Sequence, residues 1–292
     1  MRMSARDQRN GLLFISPWIV GFLVFVAYPI GSSLYYSLTR YNVVSAPIFI
    51  GLGNYVALIV HDPVFHTALL NTLYMVVAGT LVITAVTLAL AIVLNNRHVR
   101  GLSVFRIIFF LPTLVPLVIL CILWIWMLQP QTGLINTFLS YFGIKGPGWL
   151  ADPRLAKPAF IMMFLWTSGG AVIIYLAGLQ DIPMTLFEAA SIDGANFFHR
   201  TFRITIPMLS PVILFNVITY VIGIFQSFAE SFIITSGGPN QSTLFYSLYL
   251  YQNAFQYFKM GLASAMAWIL LILALFLIAL LLGLERRFGY RQ

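Results

Sequence analysis

The stretch GLASAMAWILLILALFLIALLLGL, residues 261–284, runs for 24 residues without a charged side chain. A helix rises about 1.5 Å per residue and the hydrocarbon core of a bilayer is about 30 Å thick, so this stretch predicts a membrane-spanning helix. Five further apolar runs precede it, at Leu12–Leu38, Ala68–Leu94, Phe105–Leu128, Ala159–Leu179 and Met208–Ile234. The sequence therefore predicts an all-α integral membrane protein with six transmembrane helices.

The composition agrees with this class. Of the 292 residues, 60% are hydrophobic and 8% are charged, and the mean hydropathy is +0.92. A soluble domain carries about 25% charged residues, so this chain cannot cover a water-facing surface. A soluble globular enzyme, a disordered protein and a nucleic-acid-binding domain are therefore excluded, although the pI is about 9.7. Cys121 is the single cysteine, which excludes an intramolecular disulfide.

The distribution of basic residues predicts the orientation, because Lys and Arg concentrate on the cytoplasmic side of a membrane. With a cytoplasmic N-terminus, eleven of the sixteen basic residues fall inside: Arg2, Arg6, Arg9, Arg97, Arg100, Arg106, Arg200, Arg203, Arg286, Arg287 and Arg291. The other five fall outside: Arg40, Lys145, Arg154, Lys157 and Lys259. Six spans then place both termini in the cytoplasm, with residues 1–11 before and 285–292 after a six-helix domain, residues 12–284.

We call the connection between the fourth and fifth runs, residues 180–207, the inner elbow. Its residues Asp181–Pro183 predict a helix start, since proline is favoured in the first turn. Gly194 predicts the end of that helix, as a glycine in a left-handed C-cap. A second short helix follows, in which Phe198 and Phe202 lie four residues apart on one face.

The inner elbow carries large apolar side chains: Phe187, Ile192, Phe197, Phe198 and Phe202. A segment of about 28 residues is too short to bury them in a core of its own. Either the elbow folds back on the ends of its own membrane helices, or it docks into a groove on a separate protein. Hydrophobic pattern alone leaves both interpretations open.

The inner elbow also contains a recognisable motif. Glu188-Ala189-Ala190, followed by Gly194, Ile204 and Ile206-Pro207, resembles the EAA signature of the membrane-spanning subunits of ABC importers. That signature ends in Ile-x-Leu-Pro, so Ile206 replaces a leucine here. Further segments resemble the MalF type of permease in the carbohydrate branch of that family: Pro17-Trp18, Tyr28-Pro29, residues 51–55, Asp62-Pro63, Asn71-Thr72, residues 111–113, Trp149-Leu150, residues 235–239, Tyr249 and residues 253–255.

The resemblance implies a permease subunit of an ATP-driven importer in the inner membrane. It implies that the inner elbow contains a coupling helix seated in a cleft of a cytoplasmic ATPase. The implied contacts come from Glu188, Ala189, Ala190, Asp193, Gly194, Phe198 and Pro207. The implied partners are a second homologous permease, two ATPase subunits and an extracytoplasmic binding protein that delivers a sugar or sugar-like solute. No G-x-x-x-x-G-K-[ST] phosphate loop occurs, so ATP and Mg are expected on the ATPase subunits and no cofactor on this chain.

A sugar pathway needs hydroxyl and amide partners together with aromatic faces. In the fourth and fifth runs the candidates are Trp166, Thr167, Gly170, Asn216, Tyr220, Gly223, Gln226, Ser227 and Glu230. Tyr220, Ser227 and Ser231 are seven and then four residues apart, so a continuous helix would place them on one face. Such polar groups either contact sugar or hold helices together, and the spacing allows both.

Glu230 is the sole acid inside an apolar run. Continuing the helix from a midpoint near Val221 places it roughly 13 Å along the axis, close to the outer interface. There it is either an acid that reaches interfacial water, or a gate contact that pairs with a basic group of the substrate.

Two other functions compete with an importer subunit. A self-sufficient secondary transporter is the main alternative, but proton-driven transporters tend to carry carboxylate or histidine relays within the membrane. A membrane-embedded enzyme needs a nucleophile with a base, or a metal cluster, at one depth. Neither H-E-x-x-H nor G-x-S-x-G occurs and no apolar run contains a histidine, so no catalytic function is expected.

Overall fold

The computed structural model describes residues 5–95 and 101–288. Arg2, Arg97, Arg100 and Arg291, which belong to the charge distribution above, lie outside the described residues. Within these ranges the chain is mostly helical, and the one sheet is a short antiparallel pair of strands, β1 (Thr39–Arg40) and β2 (Ile48–Phe49).

The helices follow one another with short connections. In chain order they are α1 (Ala5–Phe22), α2 (Tyr28–Ser37), α3 (Gly53–Val56), α4 (Pro63–Tyr74), α5 (Thr80–Leu94), α6 (Leu102–Phe110), α7 (Leu117–Met127), α8 (Leu134–Ser140), α9 (Pro153–Trp166), α10 (Gly169–Gln180), α11 (Met184–Ile192), α12 (Phe197–Arg200), α13 (Ile206–Met208), α14 (Ser210–Phe225), α15 (Ala229–Ile234), α16 (Tyr246–Tyr251) and α17 (Met260–Phe288). Wider π-helical turns occupy Leu23–Ala27, Ala57–His61, Met75–Gly79, Thr201–Thr205 and Gln252–Gln256, and a 3₁₀ turn occupies Leu111–Leu114. Several of these turns continue a neighbouring helix and so lengthen it.

Three helical stretches of the described chain are long and apolar enough to cross a membrane without a break: Gly11–Ser37, Pro63–Leu94 and Met260–Glu285. Three more are bent pairs: Val104–Leu114 with Leu117–Met127, Pro153–Trp166 with Gly169–Gln180, and Phe197–Met208 with Ser210–Phe225. If each pair forms one span, length and composition give six spans. The predicted all-α membrane fold is confirmed, and three of its helices are broken.

Different features accompany the breaks in the third and fourth spans. The third span bends by 104°, and Pro116 caps α7 with an extended backbone because it lacks the N–H that a continuing helix needs. The fourth span bends by 52° between α9 and α10. A Cβ atom on Gly169 would lie 1.7 Å from the carbonyl oxygen of Phe109, so the contact between α10 and α6 requires a glycine.

The fifth span differs from its prediction. The prediction of one helix over Met208–Ile234 is wrong, because α14 ends at Phe225 and a separate helix, α15, begins at Ala229 after three intervening residues. Tyr220 therefore does not share a helical face with Ser227 and Ser231. The predicted depth of Glu230, which assumed a continuous helix, loses its basis for the same reason.

Side chains stabilise this break. The hydroxyl of Ser247 donates to the carbonyl oxygen of Phe225 over 2.8 Å, which satisfies an acceptor that the ended helix leaves free. The hydroxyl of Ser227 donates to the carboxylate of Glu230 over 3.0 Å. A continuous membrane helix would not require these two hydrogen bonds. Here they stabilise the non-helical backbone between α14 and α15.

The chain forms two compact units. The larger unit joins Pro63–Tyr249 with the chain from Ile272 onward. Its core cluster consists of Ala91, Leu94, Ala171, Val172, Tyr175, Leu176, Leu179, Ile182 and Leu209. Because most of these residues belong to α5 and α10, the packing of those two helices dominates this part of the core.

The smaller unit joins the chain up to Asp62 with Leu250–Leu271. In it, the amide of Asn54 donates to the carbonyl oxygens of Ser37 and Thr39 over 2.8 Å each. These bonds hold the end of α2 against the turn that begins at α3.

Candidate functional site

The inner elbow ends its first helix in a complete C-terminal cap. Gly194 has φ +75°, the amide of Ala195 donates to Ala190 over 2.8 Å, and the amide of Gly194 donates to Ser191 over 3.1 Å. These two bonds form a Schellman motif, in which a left-handed residue reverses the chain and satisfies the last carbonyl groups. The predicted role of Gly194 as a helix terminator is confirmed.

The second helix of the elbow has its own cap. The side-chain oxygen of Asn196 accepts from the amide of His199 over 2.8 Å, as an N-cap residue does. The guanidinium of Arg200 donates to the hydroxyl of Ser191 over 3.2 Å and joins the two helices. Sequence analysis missed Asn196, although an asparagine two residues after a C-cap glycine is a capping signal. Local hydrogen bonds thus define the shape of the elbow.

The apolar side chains of the elbow divide into two groups. Ile182 is buried in the core cluster, and Phe187 packs against that cluster. The others stand out: Ile192 is 87% exposed and Phe198 is 68% exposed, and Phe197 and Phe202 are exposed as well. The elbow is therefore anchored on its own chain at one end and presents an apolar surface at the other.

A cleft of about 360 Å³ opens beside the cap of the elbow. It is lined by Ala190, Asp193, Gly194, Ala195, Asn196, His199, Arg200, Arg203 and Ile204. One carboxylate faces two guanidinium groups and an imidazole, so the cleft is basic. Of the predicted coupling residues, three line the cleft and four do not, namely Glu188, Ala189, Phe198 and Pro207.

A second cavity, of about 350 Å³, lies where the third and fourth spans break. It is lined by Val86, Thr87, Leu90, Ile108, Phe109, Pro112, Trp124, Met162, Leu165, Trp166, Ser168, Gly169 and Val172. The rings of Trp124 and Trp166 have their centroids 6.0 Å apart at an interplanar angle of 73°. Two indoles at right angles thus form one wall of the cavity.

Hydroxyl groups supply the polar part of this wall. Thr87 donates to the carbonyl of Ile83, and Ser168 donates to the carbonyl of Leu165, both over 2.6 Å. The hydroxyl of Tyr220, on α14, interacts with the hydroxyls of Thr87 and Ser168. The cavity therefore brings together two of the predicted residues, Trp166 directly and Tyr220 through the hydroxyls in the wall.

The other predicted cavity residues do not line this cavity. Thr167 donates to Phe164 over 3.0 Å, and Asn216 is buried and donates to Val212 over 2.9 Å, so both bond to their own helices. Gly223 and Gln226 are exposed, Gly170 is half-buried, and Ser227 and Glu230 bond to each other. Trp124 and Thr87 were not predicted, because they lie in the third and second apolar runs, whereas the predicted sugar pathway was confined to the fourth and fifth.

A cluster of polar contacts holds the segment at residues 235–247, which we call the outer loop. The amide of Asn71 donates to the carbonyl oxygens of Gln241 and Leu244, over 2.7 and 3.3 Å. The ammonium of Lys157 donates to the other end of the Asn71 side chain over 2.9 Å and lies 4.9 Å from the centre of the Tyr74 ring. Asn71 thereby ties the outer loop to α4 and α9.

The outer loop has further bonds within itself and to α4, and its residues 243–246 are buried. The hydroxyl of Thr243 donates to the carbonyl of Gly238 over 2.6 Å, and the amide of Tyr246 donates to the hydroxyl of Thr72 over 2.8 Å. Burial raises the pKa of the Tyr246 hydroxyl well above its ordinary value, so this group stays neutral. Among the residues that the structure describes, no group of three or more His, Cys, Asp or Glu side chains is arranged to hold a metal ion.

Comparison with known proteins identifies the class. Residues 82–290 match the family model described as "Binding-protein-dependent transport system inner membrane component". The chain belongs to this family of membrane permeases, and the resemblance to the permease subunits of ABC importers is confirmed.

Individual relatives cover nearly the whole chain. The probable ABC transporter permease protein YesP of Bacillus subtilis (strain 168) is 40% identical over 276 residues, which are 93% of this chain and 89% of that protein. The lactose transport system permease protein LacF of Rhizobium radiobacter is 42% identical over 253 residues, which are 85% of this chain and 84% of that protein. A chain in the crystal structure of a bacterial alginate ABC transporter, in complex with an alginate pentasaccharide-bound periplasmic protein, matches with a TM-score of 0.83, 26% identity and 98% coverage of both chains.

Proposed function

We propose that this chain forms half of the transmembrane pathway of an ATP-driven importer for a sugar or sugar-like solute. An extracytoplasmic binding protein delivers the solute, and a second, homologous permease completes the pathway. Two cytoplasmic ATPase subunits bind ATP and Mg and drive the cycle. The chain itself carries out no chemical reaction and lies in the inner membrane with both termini in the cytoplasm.

The observation that carries the proposal is the exposed apolar surface of the inner elbow. Ile192, Phe197, Phe198 and Phe202 are exposed on a segment whose backbone is capped at both helices. We place Phe197–Met208, the first half of the bent pair of the fifth span, in the cytoplasm together with the rest of the elbow, where no lipid covers its exposed side chains. A groove on a separate ATPase subunit supplies that cover, in the manner of a helix docked into a groove.

The elbow is connected to the cavity by two helices. α10 runs from the cavity wall at Gly169 to the elbow, where Ile182 and Phe187 contact the core cluster. α14 follows the elbow and carries Tyr220, which reaches the hydroxyls of Thr87 and Ser168. A push on the elbow therefore moves two helices that both meet the cavity wall, which is the mechanical link that the proposal requires.

The nature of the solute is supported by the relatives and by the cavity. The names of relatives specify lactose and trehalose/maltose. The paired indoles of Trp124 and Trp166, with hydroxyl groups beside them, suit a molecule with both apolar faces and hydroxyl edges.

The orientation is supported by the basic residues. Lys157 is one of five that fall outside in this orientation, and its ammonium has a structural role through Asn71 and the ring of Tyr74. This structural role explains why Lys157 lies on the outside, although basic residues generally prefer the cytoplasmic side.

The proposal is tested in the assembled complex, reconstituted in liposomes with the two ATPase subunits and the binding protein. We expect Gly194→Asp, which strains the left-handed cap, and Glu188→Lys, which reverses the charge on α11, each to lower the stimulation of ATP hydrolysis by the loaded binding protein more than tenfold. Both variants should still insert and assemble, because neither residue is buried.

Gly143→Asp is the matched control, since Gly143 has φ +71° and an added Cβ there meets no atom within 4 Å, as at Gly194. It should keep stimulation within about twofold of the wild type, an effect of under about 0.5 kcal/mol. Unchanged stimulation in both elbow variants would remove the proposal.

A further inference from the structure

The connection between the third and fourth spans presents a row of large apolar side chains. α8 and the turn after it carry Leu134, Phe138, Tyr141 and Phe142, which are all exposed, Tyr141 most of all at 82%. These spacings place the four side chains on one side of the helix, since each residue advances it by about 100°. The rings of Phe138 and Phe142 have their centroids 5.2 Å apart. α8 therefore has a continuous apolar face that the described structure leaves uncovered.

The opposite side of α8 is fixed to its own chain. Asn136 is buried, and its amide donates to the carbonyl oxygens of Pro130 and Pro147 over 3.1 and 3.0 Å. The indole N–H of Trp149 donates to the side-chain oxygen of Asn136 over 2.7 Å. A Cβ atom on Gly146 would lie 2.1 Å from the Asn136 side chain, so the packing on this side is close. These contacts determine which side of α8 faces away from the protein.

The position of α8 in the chain places it near the membrane surface. The helical part of the third span ends at Met127, and α8 begins at Leu134, six residues later in the chain after the intervening turn. In that turn the amide of Gly133 donates to the carbonyl oxygen of Gln129 over 2.9 Å, and α8 contacts α7. A helix held this close to the end of a span lies at the level of the lipid headgroups.

The charge of the segment favours lipid over a protein partner. Residues 129–151 contain one charged side chain, Lys145, whereas the equally long stretch 181–203 of the inner elbow contains five: Asp181, Glu188, Asp193, Arg200 and Arg203. A protein interface carries a polar rim around its apolar centre, which the elbow has and the α8 segment lacks. The single charge at Lys145 is positive, which suits a surface of lipid phosphate groups.

We propose that the apolar face of α8 rests in the headgroup region of the bilayer, on the side of the membrane where the third span ends. The segment thus forms a membrane-surface contact in addition to the spans. An exposed apolar face of this kind marks a protein or membrane contact, and the aromatic side chains are of the type found at membrane interfaces. The proposal goes beyond the proposed function, because it concerns contact with lipid and requires no transport.

The test measures the depth of a nitroxide spin label in the chain reconstituted in liposomes of phosphatidylethanolamine and phosphatidylglycerol. Cys121 is the single cysteine, so a Cys121→Ala background allows a label at Phe138→Cys alone. Collisions with oxygen, relative to a water-soluble nickel complex, should place this label about 5–10 Å below the phosphate groups. Ser140→Cys is the matched control, since Ser140 is exposed on the same helix and lies about 160° around it from Phe138.

The ratio of oxygen to nickel collisions should be about fivefold higher for the label at Phe138 than for the label at Ser140. Equal ratios at the two positions, whether typical of water or of lipid, would overturn the proposal. A label at Phe138 that is in water, and that becomes shielded only when the loaded binding protein is added, would instead identify a protein-docking face and also overturn it. If Phe138→Cys does not insert, Phe142→Cys replaces it with the same expectation, because Phe142 lies on the same face. None of these results depends on uptake, so the proposed function stands or fails separately.

Discussion

The inner elbow and the outer loop are both irregular segments between helices, but they differ in how far their large side chains are buried. In the outer loop, Thr243, Leu244, Phe245 and Tyr246 are all buried. In the inner elbow, Ile192, Phe197, Phe198 and Phe202 are all exposed. Both segments have capped or bonded backbones, so the contrast lies in the apolar surface and not in the hydrogen bonds.

The difference indicates where each segment obtains its stability. Burial of apolar surface is worth about 25 cal/mol per Å², so the outer loop is stabilised by its own chain. The inner elbow obtains its shape from local caps, and its exposed side chains contribute little to the stability of the isolated subunit. In the function proposed above, they contribute when the elbow docks on an ATPase subunit.

The largest predicted effect compares one phenylalanine from each segment. Phe245 is 2% exposed and its ring meets that of Phe160 at 5.4 Å, so Phe245→Ala should lower the free energy of unfolding by about 3–5 kcal/mol. Phe198→Ala should change it by under about 0.5 kcal/mol, since the side chain is already exposed. Denaturant titration in detergent measures both. Equal losses of unfolding free energy in the two variants would show that the two segments do not differ in their contribution to stability.

Loss of the hydrogen bonds between Asn71 and the outer loop should have the next largest effect on the free energy of unfolding. Asn71→Ala leaves the ammonium of Lys157 and two carbonyl oxygens without their partner, so it should cost about 1–3 kcal/mol of unfolding free energy. Asn42→Ala is the control, because Asn42 is exposed and bonds only to nearby Ser45 in the described structure. Thermal unfolding in detergent compares the two. A melting temperature for Asn71→Ala that equals that of the control would show that this tie does not stabilise the loop.

The smallest effect compares a glycine from each segment. Gly194 and Gly237 both have positive φ, at +75° and +88°, so alanine at either position should cost about 1 kcal/mol. At Gly237 the added Cβ would also lie 3.2 Å from a methyl group of Leu244, whereas at Gly194 it meets nothing within 4 Å. Gly237→Ala should therefore be the less stable variant in the same titration, and the reverse order would count against the close packing of the outer loop.

Sequence patterns predicted the membrane class and the end of the first elbow helix at Gly194, because long apolar runs and left-handed glycines depend on local chemistry. The same patterns failed in the fifth span. The carbonyl of Phe225 is satisfied by Ser247, which lies 22 residues further along the chain, and no local pattern contains that contact.

The residues around the cavity show the same difference between what local sequence patterns predict and what long-range contacts decide. Trp166 lines the cavity, and Tyr220, 54 positions later in the sequence, contacts two hydroxyl groups of its wall, which spacing within a single helix could not reveal. Trp124 was not predicted because it lies in the third apolar run, and only the packing of α7 against α9 brings its ring to that of Trp166.

The sequence by itself determined that this chain is a helical membrane protein whose inner elbow has a glycine cap and a motif that resembles the EAA signature. Composition and short motifs decide such properties, since bilayer insertion and helix capping act over a few turns of helix. Only the tertiary structure decided which spans break and which distant side chains meet around the cavity. Those features arise where helices pack, and a residue's partner there depends on the whole arrangement of the surrounding helices.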